Sequence, residues 1–169
     1  TLSNATTEDV TVALSTSGTG TEGTDYSTIS DITVTAGNTT GTASFTPTDD
    51  SVYEGNETGI VAISTVSGGS ANESGTPQEV TITINDNESA PTVTLSSSAT
   101  SISEDAGSSL TLTATLSVAT TADVTVGIST SGTGTEGTDY STISDITISA
   151  GATTGTASFT PTDDNIYEG

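Results

Sequence analysis

The chain has 169 residues, of which 22 are Asp or Glu and none is Lys, Arg, His or Cys, giving a formal net charge of −22. No side-chain salt bridge can form, so each carboxylate must be solvated, accept a backbone N–H, or hold a cation. The same balance excludes nucleic acid, whose phosphates are neutralised by Lys and Arg, and direct contact with an anionic membrane surface. The lack of Cys excludes disulfides and thiolate metal sites.

Apolar residues make up 30 % of the chain, a low share that alone would point to disorder. Periodicity overrules it. The sequence is duplicated: shifting it by 114 residues lays Thr1–Gly55 on Thr115–Gly169 with 46 of 55 positions identical. That period is too long for a solenoid unit and fits a whole sandwich domain.

Read as one period from Ala90, the chain gives short alternating runs. Thr92–Ser96 opens as a strand after Pro91, and Ser108–Ser117 follows with Leu110, Leu112, Ala114 and Leu116 on one face. Asp123–Ser129 turns Val124, Val126 and Ile128 inward. Ile146 with Ile148 and Ala157 with Phe159 mark two more strands. The first copy supplies the last two, around Val61 and Ile63 and around Val80, Ile82 and Ile84. Period-2 alternation separated by Thr and Ser is the pattern of half-buried strands in antiparallel sheets. About seven strands in such a period describe an all-β, immunoglobulin-like antiparallel β-sandwich in tandem repeats. The expected domains are 1–88, a repeat lacking its first strand, and 89–169, a repeat lacking its last two. The junction Asn85–Pro91 is short and closed by Pro, hence stiffer than a Gly/Ser tether. The whole reads as a window cut from a longer array.

The acidic residues gather in the turns. Asp49, Asp50, Glu54 and Glu57 fall within nine residues, and the first three return as Asp163, Asp164 and Glu168. Such a stretch is either a solvated acidic turn or a cation site, and hard oxygen ligands in a flexible loop suit Ca²⁺.

Four blocks together carry a resemblance: SISEDAG (Ser101–Gly107), EGTDY (Glu136–Tyr140), TPTDDSVYEGNE (Thr46–Glu57) and VTITINDNE (Val80–Glu88). In order and spacing they resemble Calx-β domains, as found in large repetitive bacterial extracellular adhesins, and the likeness covers essentially the whole period. The resemblance implies an immunoglobulin-like sandwich that binds Ca²⁺ in loops clustered at one end. The ligands it implies are Glu104 from the first acidic turn, Asp25 and Asp139 from the Gly-x-Asp-Tyr block, Asp49, Asp50, Glu54 and Glu57 with Asp163, Asp164 and Glu168 from the central block, and Asp86 from the strand end. Tyr26 and Tyr140 are read as packing residues beside that site. The family's aromatic after the second Glu is replaced by Gly59, which is expected to weaken the packing of that strand. The acidic close is thinned to Asn85-Asp86-Asn87, which favours one ion over several. Glu22 and Glu136 are read as water-facing, with an extra ligand as the alternative.

Catalysis is not expected: without His, Cys or Lys only a carboxylate dyad remains, and four Tyr and two Phe give little to hold a substrate. The expected function is a non-catalytic, Ca²⁺-binding spacer repeat of a long bacterial surface protein, the stalk of an adhesin or a filament. Its partners would be neighbouring repeats and other copies in a filament. The alternative is a module that binds glycans or cell-surface partners directly.

Overall fold

The structure, a computed structural model, describes residues 1–75 and 78–166. Eleven strands follow in chain order among these residues: β1 (Val10–Gly18), β2 (Ile32–Val34), β3 (Val52–Tyr53), β4 (Glu57–Ser67), β5 (Glu79–Ile84), β6 (Val93–Ser97), β7 (Leu110–Leu116), β8 (Ala119–Thr120), β9 (Val124–Val126), β10 (Ile146–Ile148) and β11 (Thr154–Phe159). The only helical piece among them is a 3₁₀ turn at Glu104–Ala106. No helix of the described residues is long and apolar enough to cross a membrane. The fold is thus all-β with antiparallel sheets, as the alternation predicts.

The chain divides into two compact units, Thr1–Asp50 with Gly55–Asp86, and Ser51–Glu54 with Asn87–Gly169. The first contains a four-stranded antiparallel sheet in the order β2-β1-β4-β5. A register shift interrupts the β1–β4 ladder between Ala13 and Leu14, and there the Leu14 N–H donates to Asp31 Oδ1 at 3.0 Å. The bulge leaves a donor without a ladder partner, and a carboxylate supplies one. The second unit holds a three-stranded sheet β11-β7-β6 and the pair β10-β9, with β10 packed on β11. It also contains the two-residue parallel pair β3–β8. Its core is Ala114, Leu116, Ile146 and Ile148, all buried, with Leu112, Val124, Val126 and Ala157 against them.

Strand assignment differs between identical sequences. TGTASF at Thr154–Phe159 pairs with β7 along its whole length, whereas the same six residues at 40–45 carry no strand. The first repeat holds only Thr1 and Leu2 of the segment corresponding to β7, and Leu2 N–H still donates to Thr39 O at 2.7 Å as Leu116 N–H does to Thr153 O at 2.8 Å. Likewise β1 runs nine residues and pairs with β4, while β9, nearly identical in sequence, runs three. Propensity is equal in each comparison, so the available partner decides. The unpartnered faces are open accordingly: Val93 and Leu95 on β6 are 44 % and 55 % exposed, and Val80 on β5 is 61 % exposed. In the first unit a cavity of about 320 Å³ is lined by Leu14, Ile32, Phe45, Val61, Ile63 and Val80, among others.

Beneath the acidic loops each unit has one aromatic stack among the described residues. Tyr26 and Phe45 lie 4.5 Å apart between centroids, and Tyr140 and Phe159 lie 4.8 Å apart. Tyr26 and Tyr140 are both buried, the packing role expected for them. Gly59 on β4 departs from expectation. A Cβ there would come within 2.7 Å of the Phe45 ring and 3.5 Å of Tyr26, so the position is filled by the neighbouring ring. The glycine admits the stack; it does not leave the strand loosely packed.

Candidate metal centre

The Gly-x-Asp-Tyr loop after β1 is a tight turn closed by its own aspartate. Thr21 N–H donates to Asp25 Oδ2 at 2.6 Å, and Asp25 N–H returns to Thr21 O at 2.9 Å. Thr48 N–H donates to Asp25 O at 2.9 Å and Ser27 N–H to Thr46 O at 2.8 Å. These bonds stitch the turn to the Thr-Pro-Thr that leads into Asp49. The second repeat rebuilds the same network. Thr135 N–H donates to Asp139 Oδ2 at 2.6 Å, Thr162 N–H to Asp139 O at 2.9 Å, and Ser141 N–H to Thr160 O at 2.9 Å. Local sequence therefore suffices to shape the turn and to fix one oxygen of its aspartate.

Three of the expected residues meet. Asp25, Glu54 and Glu57 each offer a carboxylate oxygen, and these atoms lie within 4.8 Å of one another. Glu57 opens β4 opposite Ile84, the last residue of β5, so Asp86, two residues on, is carried to the same end. Its Oδ2 accepts the Gly55 N–H at 2.6 Å, and its own N–H donates to Asn56 Oδ1 at 3.1 Å. Asp49 and Asp50 are exposed and fall outside the three-carboxylate group. In the second repeat Glu104, on the 3₁₀ turn, and Asp139 line one cavity of about 460 Å³ with Leu110, Tyr140 and Phe159. Asp163 and Asp164 are exposed, and Asp164 Oδ1 accepts the Ile166 N–H at 2.6 Å. Glu168 lies outside the described residues.

The three clustered carboxylates fit Ca²⁺. Ca–O distances of about 2.3–2.6 Å place ligand oxygens at most about 5 Å apart across the ion, and the three oxygens all lie within 4.8 Å of one another. Two unit charges no farther apart than that repel by at least about 1 kcal/mol in bulk water and about 3 kcal/mol at an effective dielectric of about 20. No cationic side chain exists in this sequence to offset that repulsion.

Other carboxylates have a different occupation, which the sequence reading missed. Glu22 is not simply water-facing. Its Oε2 accepts the Thr16 hydroxyl at 2.7 Å and its Oε1 the Ile29 N–H at 2.6 Å. These two bonds hold its pKa below the ordinary glutamate value, the hydroxyl contributing most and the backbone bond next. Glu136 makes the same pair of bonds, to Thr130 and Ile143, both at 2.9 Å. Asp9 and Asp123 accept from Ala36 and Ala150 at 2.8 Å each, and Asp31 and Asp145 from Leu14 and Ile128 at 3.0 Å each. The available signal was retention of Asp9, Glu22 and Asp31 in the second copy, while Glu8 becomes Ala122.

The sequence profile of the Calx-beta domain matches residues 2–88 and again residues 86–169. No curated protein matches the chain.

Proposed function

The chain belongs to the Calx-beta domain family, β-sandwich modules that bind Ca²⁺, and we propose that it serves as a non-catalytic spacer: consecutive Ca²⁺-stiffened domains in the stalk of a large extracellular surface protein, an adhesin or a filament. The observation that carries this reading is the near-identity of the two repeats. Forty-six of 55 residues coincide, and Asp25, Asp49, Asp50 and Glu54 all recur as Asp139, Asp163, Asp164 and Glu168. A module that reads a specific ligand diversifies its loops; a spacer gains by repeating them.

Within a complete repeat the oxygen donors would be Glu104, Asp139 (Asp25 in the first copy), Glu54 and Glu57. They stand on three separate segments, the 3₁₀ turn, the Gly-x-Asp-Tyr turn and the loop that opens β4, and Asp86 holds the Gly55 amide beside the last. Bound Ca²⁺ supplies the positive charge that the chain lacks. The residues in turn tie strand ends together, since Asp25 follows β1, Glu57 opens β4 and Asp86 follows β5. Neighbouring repeats, and other copies in a filament, are the partners this role requires; nucleic acid and direct membrane contact are not, given the charge.

Thermal melting in Ca²⁺ and in EDTA tests the reading. Extracellular sites have dissociation constants of about 10⁻⁴–10⁻³ M. At 100-fold excess over that value, linkage stabilises the folded state by about 2.7 kcal/mol, on the order of ten degrees for a domain of this size. Replacing Asp25 and Glu57 by Asn and Gln removes most of the shift. Superimposable curves with and without Ca²⁺ would refute the metal-stiffened spacer.

A further inference from the structure

Glu22 sits three residues before Asp25, inside the turn that carries it, yet both of its oxygens are already taken. Thr16 on β1 donates to one and the Ile29 N–H to the other. The side chain therefore bridges the strand before the loop and the chain after it, closing the segment between them from within. The preceding residue, Thr21, gives its N–H to Asp25 Oδ2. A displacement of Glu22 consequently moves the donor that orients the Asp25 carboxylate. The second repeat repeats the arrangement through Thr130, Glu136 and Ile143, although β9 ends at Val126 and Thr130 lies in no strand. The strap thus forms with and without a paired strand behind it.

We propose that Glu22 and Glu136 are positioning residues that set Ca²⁺ affinity by strapping closed the loop that presents Asp25 and Asp139. This inference rests on the calcium reading above. The strap belongs to the loop's own bonding: both Glu22 oxygens accept donors of that segment, and Glu22 stands outside the three-carboxylate group, so its role is to orient a ligand. Residues that orient metal ligands typically change affinity by 10- to 100-fold when lost.

The test is calorimetric titration of the full 169-residue chain with CaCl₂ at fixed ionic strength, with each substitution made in both repeats. Glu22→Ala with Glu136→Ala weakens binding about tenfold, the low end of that range. Glu22→Gln with Glu136→Gln stays near the parent affinity, because the amide oxygen accepts the Ile29 N–H and the amide nitrogen donates to a reversed Thr16 hydroxyl. Thr16→Val with Thr130→Val keeps every charge and loses one strap bond, and it weakens binding by several-fold. A role as ligand, or as bulk negative charge, predicts the opposite order: Gln as weak as Ala, and the Val variant unchanged. That order would overturn the proposal, as would full affinity in the Ala variant. If the Ala variant does not fold, the Gln and Val variants decide between the two orders alone. A parent chain that takes up no Ca²⁺ defeats the calcium reading itself and the inference with it. A parent that binds while the Ala variant binds equally well defeats only the inference.

Discussion

Replacing Gly59 by Ala tests how tightly the aromatic stack beneath the Asp25 loop is fitted. The new methyl would stand 2.7 Å from Phe45 Cε2 and 2.8 Å from Cζ, whereas carbon atoms in contact rest at about 3.5–4.0 Å. Phe45 must therefore retreat by roughly 0.8 Å or Gly59 must leave its register opposite Gly18 and Ile82. Overpacking of this kind costs about 1–3 kcal/mol. The lower backbone entropy of Ala in a strand returns about 0.5–1 kcal/mol, leaving a net loss near 1 kcal/mol. For a unit of this size that lowers the melting temperature by about 4–8 °C. Calorimetry of the wild type, Gly59→Ala, Phe45→Leu and the double variant closes a cycle. Removing the ring relieves the clash, so the two substitutions couple favourably by about 1 kcal/mol. The stack in the second unit, Tyr140 on Phe159, serves as an internal control and its transition stays in place. A Gly59→Ala chain that melts at or above the wild-type temperature, or a cycle with no coupling, would refute the reasoning.

Glu22 gives a pH prediction with a definite sign. Its pKa is depressed in the folded state, so its bonds contribute stability above the ordinary glutamate value of 4.5 and lose it as the pH falls through the lowered folded value. On acidification through that window the wild type should lose stability relative to Glu22→Gln, read as the difference between their melting temperatures; parallel profiles would contradict this. Amide exchange at residues 40–45 should be faster than at Thr154–Phe159, despite the identical sequence, and fusing Ala90–Ala114 ahead of Thr1 should slow it toward the β11 rate. Unchanged exchange after that fusion would mean that pairing with a β7-like strand is not what orders the segment. In a chain of three complete repeats, Ca²⁺ should narrow the distribution of angles between domains seen by single-particle imaging. Equal distributions with Ca²⁺ and with EDTA would confine the metal's effect to each domain.

Much of the fold was legible because alternation is a local signal. All seven strand positions read from the sequence carry strands, from Thr92–Ser96, which appears as β6, to Val80–Ile84, which lies within β5. Strand length was not legible, because it depends on a partner distant in sequence. VTVALSTSG and VTVGISTSG differ at two positions, yet one forms nine residues of strand and the other three. The reading of Gly59 failed for a related reason. A missing side chain in sequence looks like a missing contact, but the space was taken by Phe45, fourteen residues earlier in the chain. Only the ring's position, set by its stack on Tyr26, shows that an absent Cβ is what the packing requires.

The acidic residues pose a harder problem, since a carboxylate looks the same in sequence whether it awaits a cation or already holds an N–H. In a chain without Lys or Arg the two uses compete for the same 22 groups. The duplication separates them, because each repeat is a replicate of the other with different strands around it. The bonds of Asp9, Glu22, Asp25 and Asp31 return in Asp123, Glu136, Asp139 and Asp145 with the same donors. They follow from the sequence within a single repeat and serve to shape turns and, in the first repeat, the bulge of β1. The meeting of Glu54 and Glu57 with Asp25, and the hold of Asp86 on Gly55, require β4 and β5 to be present. Asp25 alone belongs to both sets: one of its oxygens is fixed by the turn that its own sequence builds, and its carboxylate also meets Glu54 and Glu57. That double membership makes it the residue through which a locally built loop can report to a site assembled from distant strands.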